Sequence, residues 1–136
     1  MPNKDCHLKL ARRNQVLIDH LLPKINDHSD WITTIAFYKA LHIVEAIFQD
    51  DPRIQHGQNH EGRDSFLKAN KKYQQIYKHY RPLWAASIIA RYLENGSRSV
   101  SSFSEFLSPD RVKSEIFDHR LRQIENSAKK TFNITL

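Results

Sequence analysis

Residues 31–49 constrain the fold more than any other part of the chain, because they are apolar on nearly every side of the helix they would form. Their apolar members, at mostly three- and four-residue spacing, are Trp31, Ile32, Ile35, Phe37, Leu41, Ile43, Val44, Ile47 and Phe48. Such spacing is typical of a helix, and a helix that is hydrophobic all round must be covered by neighbours. We therefore predict that this segment is the central helix of a bundle.

The rest of the chain predicts further helices, since it has only 3 glycines and almost no strict apolar–polar alternation. A first helix is expected from residue 4 to about 22, where Pro23 ends it. Its inward face is predicted to comprise Leu10, Leu17, Ile18, Leu21 and Ile25. The central helix is expected to start after a cap at Ser29 or Asp30 and to be followed by a loop over residues 52–59.

Two helices are predicted from residue 60 to about 71 and from 73 to 93, and Pro82 should kink or split the second. A last helix opens at Ser108, a capping residue followed by proline. Its inward face is predicted to comprise Val112, Ile116, Leu121, Ile124 and Ala128. The expected architecture is an all-α, up-and-down bundle of four to five helices.

The 136 residues suit a single domain spanning 1–136, and no internal repeat divides them. A Ser-rich stretch beginning at Asn95–Gly96 predicts a flexible linker over about 95–107, and residues 131–136 are expected to form a loose tail.

The composition indicates the cellular compartment and the class of binding partner. Cys6 is the one cysteine, so no intramolecular disulfide can form, and the polar N-terminal residues and short apolar runs predict a cytoplasmic protein that does not enter a membrane. A formal net charge of +6 favours a polyanion such as RNA or DNA. Solubility alone explains the charge equally well.

One polar stripe crosses the central helix. Tyr38, His42, Glu45 and Gln49 follow one another at spacings of four, three and four, so they share a face. A buried carboxylate needs a partner, and the candidates are Arg91, Ser87 and Arg63. We expect Glu45 to pair with an arginine, with Arg91 favoured over Arg63. The stripe suits a structural network better than a direct chemical role.

His60 and Arg63 lie one turn apart at a predicted helix start, where they could converge on a phosphate. An imidazole can move a proton near neutral pH and a guanidinium can hold phosphate oxygens, which is the minimum needed to cleave RNA. A solvated basic corner is the plainer alternative. No Cys, His and carboxylate cluster has metal spacing and no glycine-rich phosphate loop occurs, so neither a metal nor a cofactor is expected.

Three spaced motifs carry a family resemblance: residues 30–46 (DWITTIAFYKALHIVEA), 60–63 (HEGR) and 90–92 (ARY). Together they resemble a bacterial branch of the HEPN superfamily. The resemblance implies a helical bundle, usually a homodimer, in proteins linked to RNA cleavage, toxin–antitoxin systems and phage defence. It implies a metal-independent endoribonuclease in which His60 is the general acid or base and Arg63 and Arg91 bind phosphate. An antitoxin-like protein would be a natural partner.

The chain also departs from that pattern. Ribonuclease members carry Arg and, after four to six residues, His on a late helix, and neither Arg81 nor Arg91 has such a His. The spacing does occur from Arg13 to His20 and from Arg53 to His60, as chance would provide in a chain rich in Arg and His. Ile88 stands where the branch has an arginine.

A non-catalytic module that binds a protein partner or nucleotide is therefore the alternative. A third possibility is a structural dimer joined through exposed aromatic side chains such as Trp84 and Tyr80, drawn from the region 73–92.

Overall fold

The computed structural model describes residues 2–54 and 59–136 and is an all-α helical bundle, as predicted. Its longer helices are α1 (Lys4–Leu21), α2 (Ile25–Phe48), α3 (His60–Ala69) and α4 (Gln74–Tyr92). A two-stranded hairpin, β1 (Glu94–Asn95) and β2 (Arg98–Ser99), precedes the short helix α5 (Phe103–Phe106). The last helical stretch runs through α6 (Pro109–Arg111), a π-helical segment (Val112–Leu121) and α7 (Arg122–Phe132).

Helix α2 is the central element, as its apolar surface predicted. It packs against α1, α4, the π-helical segment and α7, and 15 of its 24 residues are buried. One stretch within Lys4–Phe48 is long and apolar enough to cross a membrane, but 78% of its most apolar window is buried inside the bundle. Packing in the core therefore accounts for this apolar stretch.

Helix starts follow the capping residues. The Asn3 side chain accepts from the Cys6 amide at 3.0 Å, Asn59 caps α3 by accepting from Gly62 at 2.7 Å, and Ser108 caps α6. Helix α2 begins earlier than predicted, at Ile25, but its backbone leaves helical geometry at His28 (φ −130°, ψ 24°). The predicted start at Ser29 or Asp30 is therefore the point at which the helix kinks.

The inward face of α1 differs from the prediction. Ile18 is buried as expected, but Leu10 and Leu17 are 39% and 44% exposed, and Leu8 and Ala11 are buried instead. The helix carries two apolar stripes, and the one containing the small side chain of Ala11 lies against α2. Of the two outcomes predicted for Pro82, a split does not occur, because α4 continues through this residue.

Residues 95–107, predicted to be a flexible linker, instead contain the rest of the hairpin and α5. Phe103 and Leu107 are buried, and the Val100 amide donates to the Leu93 carbonyl at 2.9 Å. The predicted loose tail also belongs to the fold, since Ile134 is buried and Arg12 donates to the Thr135 carbonyl at 2.8 Å. Buried apolar side chains within both polar stretches explain why these segments pack.

The predicted inward face of the last helix is confirmed, since Val112, Ile116, Leu121, Ile124 and Ala128 are all buried. The five-residue step from Ile116 to Leu121 would turn away from the core in an α-helix. The π-helical segment bonds at i→i+5, which widens the turn and brings both side chains to the core.

Candidate functional site

The polar stripe of α2 meets different partners at successive levels. Tyr38 is half-buried beside α4, His42 is half-buried beside α1, and Glu45 is 5% exposed beside α3. Gln49 is half-buried and has no side-chain hydrogen bond within the described residues. The stripe therefore joins three helices to α2: α3 and α4, which carry the predicted partner residues, and α1, which was not predicted.

Glu45 forms a buried ion pair with Arg63. The Arg63 Nε donates to Glu45 Oε1 at 2.6 Å, and both side chains are 7% exposed. The prediction that an arginine pairs with Glu45 is confirmed, but the preference for Arg91 is wrong. Arg91 lies level with Tyr38, seven residues and about 10 Å back along α2, whereas α3 runs beside Glu45.

Tyr80, on α4, lies beside this ion pair. Burial raises the pKa of Tyr80 to about 12, while the charge of Arg63 acts in the opposite direction. Tyr80 is fully buried and Tyr73 is too, so neither belongs to an exposed aromatic interface. This corrects the prediction of a dimer surface containing Tyr80.

Arg91 is held in place at the end of α4. Its Nη1 donates to the Tyr38 hydroxyl at 3.0 Å, its Nε to the Ser87 carbonyl at 3.1 Å and its Nη2 to the Ser87 hydroxyl at 3.3 Å. The guanidinium also lies over the rings of Tyr38 and Tyr92, at 5.5 and 5.3 Å from their centroids. Tyr38, Ser87 and Arg91 thus form one hydrogen-bonded unit, in which Arg91 meets the stripe at Tyr38 and not at Glu45.

A cleft opens next to Arg91. It measures about 190 Å³ and is lined by Asp30, Trp31, Thr34, Ala90 and Arg91. Trp31 is 59% exposed and the adjoining Tyr92 is 65% exposed. Arg91 thus shares the cleft wall with one accessible aromatic ring and with the carboxylate of Asp30, and its guanidinium lies 5.3 Å from a second accessible ring, that of Tyr92.

His60 lies half-buried between two aromatic rings. Its imidazole stacks on Trp84 with 5.8 Å between the ring centroids and an interplanar angle of 26°. The ring of Phe37 also contacts it, again with 5.8 Å between the centroids. Burial, followed by the charges of Arg63 and Arg91, lowers the pKa of His60. The neutral form of the imidazole is therefore favoured.

The tautomer of His60 follows from its neighbour. Arg63 Nη1 lies 3.3 Å from His60 Nδ1, and because a guanidinium can only donate, Nδ1 is the acceptor. The proton of the neutral ring then belongs on Nε2. His60 consequently offers a hydrogen-bond donor, and Arg63 is shared between this imidazole and the carboxylate of Glu45.

The sequence did not point to His7, which extends the network onto α1. Its Nδ1 lies 3.0 Å from Nδ1 of His42, so one ring donates and the other accepts. Burial, with the nearby charges of His7 and Arg63, lowers the pKa of His42 to about 4. His7 and Leu8 lie four and three residues before Ala11, so all three side chains share one side of α1, and this spacing was the available signal for the position of His7.

Other predicted features stay apart from this site. Arg13 and His20 are exposed on α1, and Arg53 pairs with Asp51 at 2.8 Å. Among residues 2–54 and 59–136, no three His, Cys, Asp or Glu side chains are grouped so that they could hold a metal ion. The predicted loop at 52–59 lies partly outside the described residues.

Comparison with known proteins gives no match, whether to a family model, a curated protein or a solved structure. The resemblance to the HEPN superfamily therefore depends on the motifs of the sequence alone.

Proposed function

We propose that this is an RNA-directed protein of the HEPN type that binds single-stranded RNA at the cleft beside Arg91. The observation that carries the proposal is that Arg91 lines the cleft together with the exposed Trp31 and has the exposed ring of Tyr92 5.3 Å from its guanidinium. Proteins bind unpaired nucleotides by stacking bases on aromatic rings while cations hold the phosphates.

The fixed geometry of Arg91 supports this role. Tyr38 and Ser87 accept three of its five donors, so the guanidinium is held in one orientation before any ligand arrives. His60 does not line this cleft, but its Nε2–H is a further donor near Arg91, whose charge acts on the imidazole. The carboxylate of Asp30 at the cleft repels phosphate but can accept from a base amino group, which favours a base on that side of Arg91.

Binding can be tested with a fluorescent single-stranded oligoribonucleotide at two salt concentrations. Arg91→Gln, Trp31→Ala and Tyr92→Ala should each weaken binding by about tenfold, because a stacked base or a charge-assisted hydrogen bond contributes on the order of 1.4 kcal/mol or more. Arg111→Gln is the matched control, since it removes the same charge from an exposed arginine that does not line the cleft.

The outcome that contradicts the proposal is equally definite. If the Arg91 and Trp31 variants bind RNA as tightly as the unchanged protein, the cleft is not the binding site. If only the net charge matters, Arg111→Gln will have the same effect as Arg91→Gln, and the affinity is non-specific.

Metal-independent endoribonuclease activity is the second candidate, and the neutral His60 beside two arginines is the observation that favours it. Arg63 is committed to Glu45 and Nε2 of His60 carries the proton, so the arrangement suits binding better than general-base catalysis. A ribonuclease would cut RNA in EDTA to cyclic phosphate ends, and His60→Ala would lower the rate by roughly a hundredfold while binding persisted. Uncut RNA with intact binding contradicts this candidate.

The biological setting follows from the same resemblance. We propose a cytoplasmic protein of a toxin–antitoxin or phage-defence system, with an antitoxin-like protein as its partner. Such a partner would compete with RNA for the cleft beside Arg91, so co-purified partner should weaken RNA binding.

A further inference from the structure

A second group of charged side chains lies where α1, α2 and α7 meet. It shares no residue with the cleft beside Arg91. Lys39 of α2 is only 4% exposed, and its ammonium donates to Glu125 of α7 and to Gln15 Oε1 of α1 at 2.6 Å. The other oxygen of Glu125 accepts from Arg122 Nη1 at 3.0 Å. A buried lysine is thus fixed by partners on two helices.

These side chains form part of the wall of an open cavity of about 360 Å³, which falls within the range of small-molecule sites. The lining residues are Arg12, Gln15, Lys39, Arg122, Glu125, Lys129 and Leu136. Four cationic side chains therefore surround one carboxylate. That carboxylate is already engaged by two of them, so the cavity keeps an excess of positive charge.

Several donors remain for a ligand. The ammonium of Lys39 has three protons, and within the described residues two are used. Arg12 uses one of its five donors on the Thr135 carbonyl, and Lys129 makes no hydrogen bond to any described residue. Burial lowers the pKa of Lys39, and a negative charge in the cavity would act against that effect.

We propose that this cavity binds a small phosphate-bearing anion, held by Arg12, Lys39 and Lys129. A phosphate fits better than a carboxylate because its two charges and three oxygens match three converging cations and the planar fork of Arg12. Leu136 gives the cavity an apolar wall for the organic part of a phosphomonoester. This inference does not depend on RNA binding at Arg91.

Isothermal titration calorimetry with inorganic phosphate and with AMP tests the proposal on the full chain. Arg12→Gln/Lys129→Gln should weaken binding by at least about tenfold, because each lost charge-assisted hydrogen bond is worth about that factor. Both side chains are exposed, so the fold should persist. The control is Arg13→Gln/Lys130→Gln, which removes the same charge from neighbouring exposed positions on the same two helices and should leave binding unchanged.

The two probes separate the sources of the phosphate. Equal affinity for phosphate and AMP assigns recognition to the phosphate group alone, and tighter binding of AMP assigns part of it to the organic group. The proposal is overturned if neither probe binds at about 10 mM, or if the control pair weakens binding as much as Arg12→Gln/Lys129→Gln.

Discussion

Replacing the carboxylate of Glu45 should destabilise the protein more than almost any other single polar substitution. In Glu45→Gln the Arg63 guanidinium stays charged in a site where its side chain is 7% exposed, and the carboxylate that compensated it at 2.6 Å is lost. Removing one partner of a buried ion pair costs about 3–5 kcal/mol. A domain of this size is stable by only about 5–15 kcal/mol, so the loss is a large fraction of the total.

Urea unfolding monitored by circular dichroism measures this loss. With an m-value of about 2 kcal/mol/M, the midpoint should fall by about 2 M. The matched control is Glu115→Gln, which breaks the ion pair between Glu115 and Arg111. These side chains are 47% and 60% exposed, respectively. That exposed pair should contribute less than about 1 kcal/mol.

A double substitution separates the cost of an uncompensated charge from the cost of lost packing. Glu45→Leu/Arg63→Met removes both charges and should recover most of the stability lost in Glu45→Gln, because apolar side chains of similar size replace a buried pair at little cost. The reasoning is refuted if Glu45→Gln and Glu115→Gln shift the midpoint equally. It is also refuted if the double variant is less stable than Glu45→Gln.

Two further predictions concern pH and assembly. Burial lowers the pKa of His42 and of His79, a buried residue of α4, to about 4 from an ordinary value of 6.5, so between these values the unfolded chain binds more protons. Stability should be full above about pH 6.5 and fall progressively toward pH 4, by at most about 3 kcal/mol for each imidazole and by less where solvent screens its charge. A melting temperature that does not fall over that range contradicts this. A homodimer joined through α1, rather than through the aromatic surface of residues 73–92 that the sequence predicted, should bury the exposed Leu10 and Leu17, so Leu17→Glu should give a monomer by light scattering. An unchanged protein that is already monomeric at about 100 μM contradicts it.

The sequence predicted the helices well because their ends are local events. Asn59 and Ser108 cap the helices that follow them through hydrogen bonds within a few residues, and the apolar surface of α2 allows only a central position. Such signals need no knowledge of the neighbouring helix.

Which stripe of α1 faces inward could not be predicted, because Leu10 and Leu17 form one apolar stripe and Leu8, Ala11 and Ile18 form another. Hydrophobicity alone favours the larger leucines. The choice depends on how closely α1 approaches α2, and the short side chain of Ala11 allows the closer contact.

The sequence predicted which residues form the candidate site, but not which arginine pairs with which residue of the stripe. The spacing of Tyr38 and Glu45 shows that both need polar partners, yet it does not say which arginine lies level with each. That depends on how far α3 and α4 extend along α2, a tertiary quantity set by a loop and by the continuous helix through Pro82. Lys39 and Glu125 were missed for the same reason, since they are 86 residues apart in sequence.

The partners of Arg63 and Arg91 also decide at which arginine a substitution can test RNA binding without changing stability. Arg63 lies in the motif that suggested phosphate binding, but it is buried against Glu45, so any substitution there changes stability before it changes a ligand contact. Arg91 is held mainly by Tyr38 and by Ser87 of its own helix, and these neutral groups leave its charge available to the cleft. Losing that charge leaves no buried carboxylate behind. A loss of RNA affinity in Arg91→Gln with an unchanged melting temperature would therefore be a functional effect, whereas the same loss in an Arg63 variant would not distinguish binding from folding.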